Sequence, residues 1–517
     1  MNLLRSTFTT GSMTLVSRVL GFVRDMVLAN LFGAGYAADA FFVAFRIPNF
    51  FRRLFAEGSF SQAFIPVLTE YRTHRPHAEV RELVDRVAGT LAGVLLLVTA
   101  VCILAAPVFV MVFAPGFIDE PEKFDVTAQM LRITFPYLLF ISLAAFAGSI
   151  LNTCGRFGVP AFTPVFLNLA LIGAALWLAP YFDQPVVAVA WGVFVGGLAQ
   201  LGFQLPFLRR LGLLPRPRYA PRDEGVRRVL KLMGPAVFGA SVAQINLMFD
   251  TLMASFLVTG SVSWLYYSDR LLEFPLGVFG IALATVILPQ LSQQAARGSA
   301  ERFAHLLDWA MRWVFIITVP ATLGLTLFAG PILATLFQYG RMTGHDVEMA
   351  TLSLVAYAPG LLGFTLVKVL APAYYARQDT RTPVRIGIVA MVSNMVMNLL
   401  FILPLAHAGL ALATTLSGFL NAGLLYRGLR QLGVYRPFPG WHSLGWQLLA
   451  GGAAMAAVLV YGRGELGQWL AWDAAARATH LLVWGTAATA AYAAGLWLAG
   501  WRPRDMRLET GPVRPPQ

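Results

Sequence analysis

Long apolar stretches recur from one end of the 517-residue chain to the other, and they constrain its fold more than any other feature. A helix that crosses the hydrocarbon core of a bilayer needs about 20 predominantly apolar residues. The stretches that meet this length are centred near Leu20, Phe55, Leu97, Leu139, Leu169, Phe194, Gln244, Gly280, Ile317, Leu361, Val392, Ser417, Ala454 and Thr489. They are too long and too rich in Leu and Ala for barrel strands. We therefore predict an all-α polytopic membrane protein with about 14 transmembrane helices.

The composition and the placement of charge support this class. Only 13% of the residues are charged and the mean hydropathy is +0.65, which excludes a soluble enzyme with a single anchor. Of the 39 Lys and Arg residues, 26 fall in loops on one side of the predicted membrane and four on the other. Basic residues accumulate on the cytoplasmic side, so we expect both termini in the cytoplasm. The net charge of +13 then needs no nucleic-acid partner.

Several kinds of chemistry have no sequence signal. The seven histidines form no HExxH motif or Cys/His ligand spacing, and there is no phosphate-binding P-loop. Cys102 and Cys154 lie in or beside apolar segments and imply no disulfide framework. The first apolar segment contains Arg18 and Arg24 and lacks a cleavage site, so we expect a retained helix. We predict a protein that is not an enzyme and has no metal centre or cofactor.

The chain is internally duplicated with an offset of about 221 to 225 residues. Phe64-Ile65-Pro66 aligns with Ile287-Leu288-Pro289, and the turn from Asn152 to Pro160 aligns with that from Tyr375 to Pro383. Two six-helix lobes of equal orientation imply a pseudo-twofold axis along the membrane normal, which is typical of transporters. We predict an N-lobe (1–210), a basic cytoplasmic linker (211–231), a C-lobe (232–433), and two further helices with a cytoplasmic tail (434–517).

Nine basic residues fall inside the predicted spans, where a charge costs about 2.5 to 3.5 kcal/mol. Arg132, Arg312 and Lys368 are explained by snorkelling or, for Arg312, by an ion pair with Asp308 four residues earlier. The other six lie in the first two helices of one repeat or the other: Arg18, Arg24, Arg46, Arg52, Arg53 and Arg270. They must line a wet cavity or be paired.

Both explanations of these six arginines stay open at this point. The candidate ion pairs are Arg18 with Asp25, Arg53 with Glu57, and Arg270 with Glu273. An arginine cluster on facing helices of two lobes also suits a multiply charged anion, because guanidinium groups bind phosphate oxygens bidentately. The helices look interrupted as well, by Pro48 and Gly58 in span 2 and by Pro275, Gly277 and Gly280 in span 8. Such breaks predict a substrate site or are ordinary kinks.

A second polar group is less specific. Its members are Asp250, Asn394, Asn398 and Thr414. Their oxygens suit a small cation, although hydrogen bonding between helices would explain them equally well.

The N-terminal motifs resemble those of one transporter family. They are Ser17-Arg18-Val19-Leu20-Gly21-Phe22-Val23-Arg24-Asp25, Ala38-Asp39-Ala40-Phe41, the run from Arg46 to Gly58, and the run from Tyr266 to Pro275, which includes Asp269. They resemble the MurJ (MviN) lipid II flippase family of the MOP exporter superfamily, and the likeness covers essentially the whole chain.

This resemblance implies a function and a site. It implies a bacterial inner-membrane protein, acting as a monomer, that moves lipid II, the undecaprenyl-pyrophosphate-linked peptidoglycan precursor, from the cytoplasmic to the periplasmic leaflet. Residues that would engage the pyrophosphate are Arg18, Arg24, Arg52, Arg53 and Arg270. Polar or gating partners would be Asp25, Asp39, Glu57, Asp269 and Glu273. Helices 13 and 14 would hold the polyprenyl tail. Coupling to the membrane potential or to a monovalent cation, and contacts with cell-wall synthesis proteins, stay open.

Two other functions compete with this one. A multidrug or organic-cation antiporter of the same superfamily would need a cavity dominated by carboxylates and would leave spans 13 and 14 without a use. A membrane glycosyltransferase would need a general base in an outer loop, where Asp119 and Glu120 are the clearest acidic pair.

Overall fold

The computed structural model describes the backbone of residues 3–55 and 60–506. Side chains are described for 11–54, 60–235, 244–278 and 287–504, and for a few positions between these ranges. The described residues form helices joined by turns, with no β-strand among them. The predicted all-α fold is confirmed. The chain divides into two compact units, Met1–Ser263 with Tyr339–Thr343, and Trp264–Gln338 with Gly344–Gln517.

Unit 1 contains eleven α-helices and the start of a twelfth. Their bounds are α1 Leu3–Phe32, α2 Tyr36–Phe55, α3 Ser61–His74, α4 His77–Leu104, α5 Ala106–Phe113, α6 Pro121–Thr134, α7 Pro136–Thr153, α8 Gly158–Phe162, α9 Pro164–Gly173, α10 Pro185–Arg210, α11 Glu224–Ser255 and α12 Ser261–Pro275. A π-helical turn at Ala174–Leu178 extends α9, and α12 continues beyond the unit boundary.

Unit 2 contains the rest of α12 and nine further α-helices. Their bounds are α13 Ile281–Ala296, α14 Ala300–Leu327, α15 Ala329–Phe337, α16 Gly344–Tyr357, α17 Gly360–Tyr375, α18 Arg381–Gln431, α19 Trp441–Arg463, α20 Leu466–Ala471 and α21 Ala474–Leu498. Helix α18 has 51 residues, and Ala406 inside it has the non-helical angles φ 48° and ψ −129°. At 1.5 Å per residue α18 is more than twice as long as a bilayer core is thick, so the break at Ala406 separates two predicted spans.

All fourteen predicted span centres lie in helices. Within the described residues, eight helical segments are long and apolar enough to cross a membrane, or nine when the bent pair Gly344–Tyr357 and Gly360–Tyr375 counts as one span. The helices that fall short include α1, α2 and α12, which carry the intramembrane arginines. The exact number of spans remains a prediction.

Each unit has a hydrophobic core at corresponding positions of the repeat. The core of unit 1 includes Phe64 and Leu83, from α3 and α4. The core of unit 2 includes Ile287 and Leu306, which lie 223 positions later in α13 and α14. The same apolar positions are therefore buried in both copies, as the duplication predicts.

Two pairs of turns also agree with the duplication. Gly155 and Gln378 follow equivalent helices with φ of 76° and 62°, and Gly212 and Gly433 do so with φ of 69° and 66°. A left-handed residue after the last helical turn lets the chain satisfy the final carbonyl groups. The duplicated segments thus end their helices in the same way, even where glutamine replaces glycine.

The units do not coincide with the predicted lobes. Helix α11, predicted to open the C-lobe, packs on α2, α3 and α4 within unit 1. Compactness does not test where a repeat begins, so the four-part division by sequence stays a prediction.

The predicted helix breaks have mixed outcomes. Helix α2 continues through Pro48 to Phe55. The prediction that Pro48 breaks this helix is therefore wrong. A proline removes one backbone donor, which neighbouring groups can compensate in a membrane helix. Gly58 lies outside the described residues. In the second copy α12 ends at Pro275, and a π-helical turn over Leu276–Gly280 precedes α13, which confirms that break.

Candidate functional site

Arg24 is the most enclosed of the predicted substrate-binding arginines. It lies on α1 with 5% of its surface exposed, and Nε and Nη2 donate to Oδ1 of the fully buried Asp25 at 2.9 and 2.6 Å. Nη1 donates to Oδ1 of Asn168 on α9 at 3.1 Å, and Asn168 donates in turn to the carbonyl of Ser17. Asp25 was predicted to pair with Arg18, but its ion pair is with the adjacent Arg24. These contacts fix the Arg24 guanidinium between α1 and α9.

The other arginines of unit 1 are more open. Arg18 and Arg52 are half-buried and Arg53 is exposed. The Nε group of Arg52 donates to Oδ1 of Asn49, one helical turn earlier, at 2.9 Å. Glu57, the predicted partner of Arg53, lies outside the described residues. Of the four predicted substrate-binding arginines in unit 1, one is therefore buried, two are half-buried and one is exposed.

Arg46 has a neutral partner on another helix. Its Nη1 donates to the Thr251 hydroxyl on α11 at 2.8 Å. This bond ties α2 to the helix that carries Asp250.

Asp39 accepts hydrogen bonds from the start of α12. Its carboxylate receives the backbone N–H groups of Gly260 and Ser263 at 2.8 and 2.9 Å, and the Ser263 hydroxyl at 2.6 Å. The first N–H groups of a helix have no partner within it, so Asp39 acts as a capping group supplied by α2. The residue predicted as a gating partner thus holds the N-terminus of the helix that carries Arg270.

Lys123 lies buried beside Asp39. The sequence places it among the four basic residues of the outer loops, and it is 1% exposed, with Nζ 3.4 Å from Asp39 and 3.3 Å from Glu120. Nζ also donates to the Thr259 hydroxyl at 3.0 Å and lies over the Phe117 ring. Burial is tolerated because two carboxylates and a hydroxyl replace the lost water.

Unit 2 contributes a predicted ion pair in α12. Arg270 Nη1 lies 2.8 Å from Glu273 Oε2, and the two side chains are 30% and 43% exposed. The predicted i,i+3 pair is confirmed. Asp269, beside Arg270, is half-buried. The Arg270 side chain is therefore paired within its own helix with a carboxylate one turn later.

The residues of the predicted cation site are divided between the units. Asp250 is buried in α11 of unit 1. In α18 of unit 2, Asn394 and Asn398 are fully buried, and the Thr414 hydroxyl donates to the carbonyl of Leu410. Within the described part of the chain, no group of three or more His, Cys, Asp or Glu residues is arranged to hold a metal. The cation site therefore remains a prediction.

Sequence reasoning missed three partners, and a signal existed for two of them. The sequence places four basic residues in the outer loops, where Lys and Arg are disfavoured. Two of them, Lys123 and Arg477, are buried, with exposed fractions of 1% and 6%. The other two, Arg341 and Arg463, are exposed. Asn168 gave only the general signal of a polar residue in an apolar span.

Comparison with known proteins places the chain in a family. The model of the family described as lipid II flippase MurJ matches residues 28–477. A probable lipid II flippase from Vibrio cholerae is 50% identical over 98% of both chains. A lipid II flippase from Burkholderia cenocepacia is 43% identical over 89% of this chain and 90% of its own length.

Solved structures agree on the fold. A lipid II flippase in an inward closed conformation has a TM-score of 0.79 at 24% identity and covers 95% of this chain and 98% of its own. An inward-facing multidrug transporter of the MOP superfamily has a TM-score of 0.67 at 14% identity, over 83% of this chain and 98% of its own. The second likeness shows the fold alone and does not favour the antiporter alternative. The matches of sequence span nearly the full length, and we conclude that this chain belongs to the MurJ family of lipid II flippases, which are membrane transporters rather than enzymes.

Proposed function

We propose that this protein moves lipid II from the cytoplasmic to the periplasmic leaflet of the bacterial inner membrane by alternating access. Family membership supports the substrate, since its relatives are named as lipid II flippases. A lipid-linked sugar pyrophosphate does not cross unaided because its head group would lose its water. A polar passage through the protein replaces that water, while the polyprenyl tail stays outside the passage, along the predicted helices 13 and 14. No covalent step is required.

The excess of positive charge at the start of the chain carries this proposal. Residues 11–55 contain five arginines and two aspartates, and both aspartates are engaged, Asp25 with Arg24 and Asp39 with Lys123. Arg18, Arg52 and Arg53 add accessible guanidinium groups on α1 and α2. These groups suit the pyrophosphate of the substrate, because guanidinium forks match phosphate oxygens.

Asp39 is the gating residue of the proposed cycle. In the present state its carboxylate caps α12 through Gly260 and Ser263. Opening toward the periplasm requires α12 to leave this cap, and Lys123 then keeps the carboxylate paired. An aspartate that lost both partners would be an unpaired buried charge, which is strongly unfavourable.

We also propose that the membrane potential contributes to the driving force. An inside-negative potential favours outward movement of an anion by about 2.3 kcal/mol per charge per 100 mV. A monovalent cation is the second proposed source of energy. Replacing sodium by potassium or choline during transport, at fixed potential, separates the two.

The experiment that tests the function measures the leaflet location of lipid II. Cells depleted of this protein are treated with a periplasmic probe that cleaves only outward-facing precursor. We expect cleavage to disappear on depletion and to return with the wild type, but not with Arg24→Ala or Arg270→Ala. Arg132→Ala is the matched control, because Arg132 is exposed at the end of α6 and lies outside the proposed site. It should restore cleavage fully.

The outcomes separate the alternatives. Each variant is quantified in the membrane fraction, so that loss of transport is distinguished from loss of protein. Unchanged cleavage after depletion would reject lipid II flipping as the required role and would favour the antiporter. If depletion stops flipping but Arg24→Ala and Arg270→Ala both restore it fully, the arginine site is rejected and the flippase function stands.

A further inference from the structure

The C-terminal hairpin, α19 to α21, packs on α14 and α15 through mostly apolar contacts. The Cβ position of Gly452 on α19 is 3.9 Å from Val319 Cγ1 on α14, and the Tyr492 hydroxyl of α21 donates to the Ile316 carbonyl at 2.9 Å. Within a bilayer, apolar contact between helices gains little, because lipid tails are equally apolar. The hairpin therefore needs other attachments if it is to keep its place.

One attachment lies where α19 begins. Asp308 on α14 is 4% exposed and accepts hydrogen bonds from the Tyr435 hydroxyl at 2.5 Å and from Trp441 Nε1 at 2.8 Å. Its other oxygen pairs with Arg312 Nε at 2.7 Å, and Arg312 Nη2 donates to the Pro439 carbonyl at 2.8 Å. One ion pair of α14 thus binds both the connecting segment and the first residue of α19.

A second attachment lies at the other end of the hairpin. Arg477, in the first turn of α21, is 6% exposed, and Nη1 donates to the carbonyls of Ala334 and Gln338, both at 3.0 Å. These carbonyls end α15, where a helix presents partial negative charge. Nη2 donates to the Leu470 carbonyl of α20 at 2.9 Å. One guanidinium therefore joins α15, α20 and α21.

The short helix α20 is itself fixed between these contacts. Trp469 is fully buried, and its Nε1 donates to the carbonyl of Arg463, the last residue of α19, at 2.6 Å. The turn of the hairpin is consequently a folded cap bonded to the rest of unit 2.

We propose that Asp308 and Arg477 are positioning residues that clamp the hairpin to α14 and α15 at both ends, so that it moves with them as one body during transport. This inference rests on the proposed flippase function, in which the hairpin accommodates the polyprenyl tail. A clamped hairpin keeps the tail site at a constant position relative to α14. A loose hairpin would give the tail no fixed position from which the head group could be aligned.

A reversible cross-link tests whether the hairpin and α14 move together. Val319→Cys and Gly452→Cys are introduced into a chain whose Cys102 and Cys154 are replaced by alanine. The ideal Cβ position of residue 452 lies 3.9 Å from Cγ1 of Val319, so the two introduced side chains are near enough for oxidative cross-linking. We expect lipid II flipping in proteoliposomes to proceed at the same rate in the oxidised and the reduced protein. Flipping that stops on oxidation and resumes on reduction would overturn the inference.

Rescue distinguishes positioning from a general structural role. We expect Arg477→Ala to slow flipping by about tenfold to a hundredfold, as is typical when a binding element is misplaced by about 1 Å. The 319–452 cross-link should restore the rate, because it replaces the lost attachment. The flipping rate of Arg477→Lys should lie between those of Arg477→Ala and the wild type. Arg463→Ala is the matched control, because the Arg463 side chain is exposed. An Arg477→Ala protein that reaches the membrane and flips normally would refute the clamp.

A spectroscopic measurement is independent of transport. Spin labels at the exposed positions Arg302 on α14 and Leu449 on α19 should give one narrow distance distribution, which broadens in Arg477→Ala. An unchanged distribution in a variant that has lost transport would also refute the clamp. If the wild type and the labelled protein with Arg477 intact both fail to flip lipid II while the labelled protein gives a narrow distance distribution, the proposed function fails and the clamp stands.

Discussion

The two copies of the repeat hold the segment after their last helix in different ways. Asp85 on α4 and Asp308 on α14 occupy equivalent positions, 223 residues apart, and are 5% and 4% exposed. Asp85 accepts from the backbone N–H of Arg216 at 2.7 Å. Asp308 accepts from the side chains of Tyr435 and Trp441 at 2.5 and 2.8 Å.

The difference follows from what each segment leads to. After the first copy the chain enters a basic linker, and a backbone bond holds it whatever its side chains are. The backbone of Arg218 also lies so close to α4 that a Cβ at Gly89 would come within 2.3 Å of it. After the second copy the chain enters the hairpin, and side-chain donors fix the start of α19. Both copies of the aspartate therefore accept hydrogen bonds, but the donors differ between the copies.

The largest effect is expected for Asp308→Ala. It removes the partner of Arg312 and three hydrogen bonds at once, from Tyr435, Trp441 and the backbone N–H of Phe438. Breaking a buried ion pair typically costs about 3 to 5 kcal/mol. The free energy of unfolding, measured by denaturant titration in mixed micelles, should fall by this amount. Glu301→Ala, at an exposed acidic position in the first turn of α14, should cost no more than about 0.5 kcal/mol. Equal losses in both variants would show that the buried cluster adds no stability.

A smaller loss is expected for Asp85→Ala. It leaves a backbone N–H group without its acceptor, which costs about 1 to 3 kcal/mol. The same titration should find Arg216→Ala nearly neutral, because that side chain is exposed and the backbone donor is kept. Tyr435→Phe, in contrast, should cost about 1 to 3 kcal/mol because it removes a donor. If Arg216→Ala lowered the free energy of unfolding and Tyr435→Phe did not, the roles of backbone and side-chain donors in the two copies would be reversed.

The smallest effect concerns the turn that follows α7 and α17. Gln378 adopts φ of 62°, where the first copy has Gly155 at 76°. A left-handed conformation costs a residue with a side chain about 1 kcal/mol or slightly more. Gln378→Gly should therefore raise the free energy of unfolding by up to this amount, and Gly155→Ala should lower it similarly. Thermal unfolding midpoints in detergent provide the measurement, and a destabilising Gln378→Gly would show that the glutamine side chain contributes a contact of its own.

Much of the fold was predictable because its signals are local. The length and apolarity of a stretch decide whether it can span a bilayer, and a constant offset reveals a duplication. The i,i+3 pair of Arg270 with Glu273 and the i,i+4 pair of Arg312 with Asp308 also depend only on helical spacing. The number of spans was harder to predict from the sequence, because helices that carry several arginines resemble the helices of soluble proteins in composition.

The sequence by itself determined that this chain is a duplicated helical membrane protein with arginines concentrated in the first helices of its repeats, since apolar length, offset and residue type can be read along the chain. Only the tertiary structure decided which distant polar groups bond to the buried charged side chains. Arg24 meets Asn168 across 144 positions, and Asp39 meets Ser263 across 224. Such contacts depend on how helices far apart in sequence pack, and every buried charge must find its partner there because neither lipid nor the protein core supplies water.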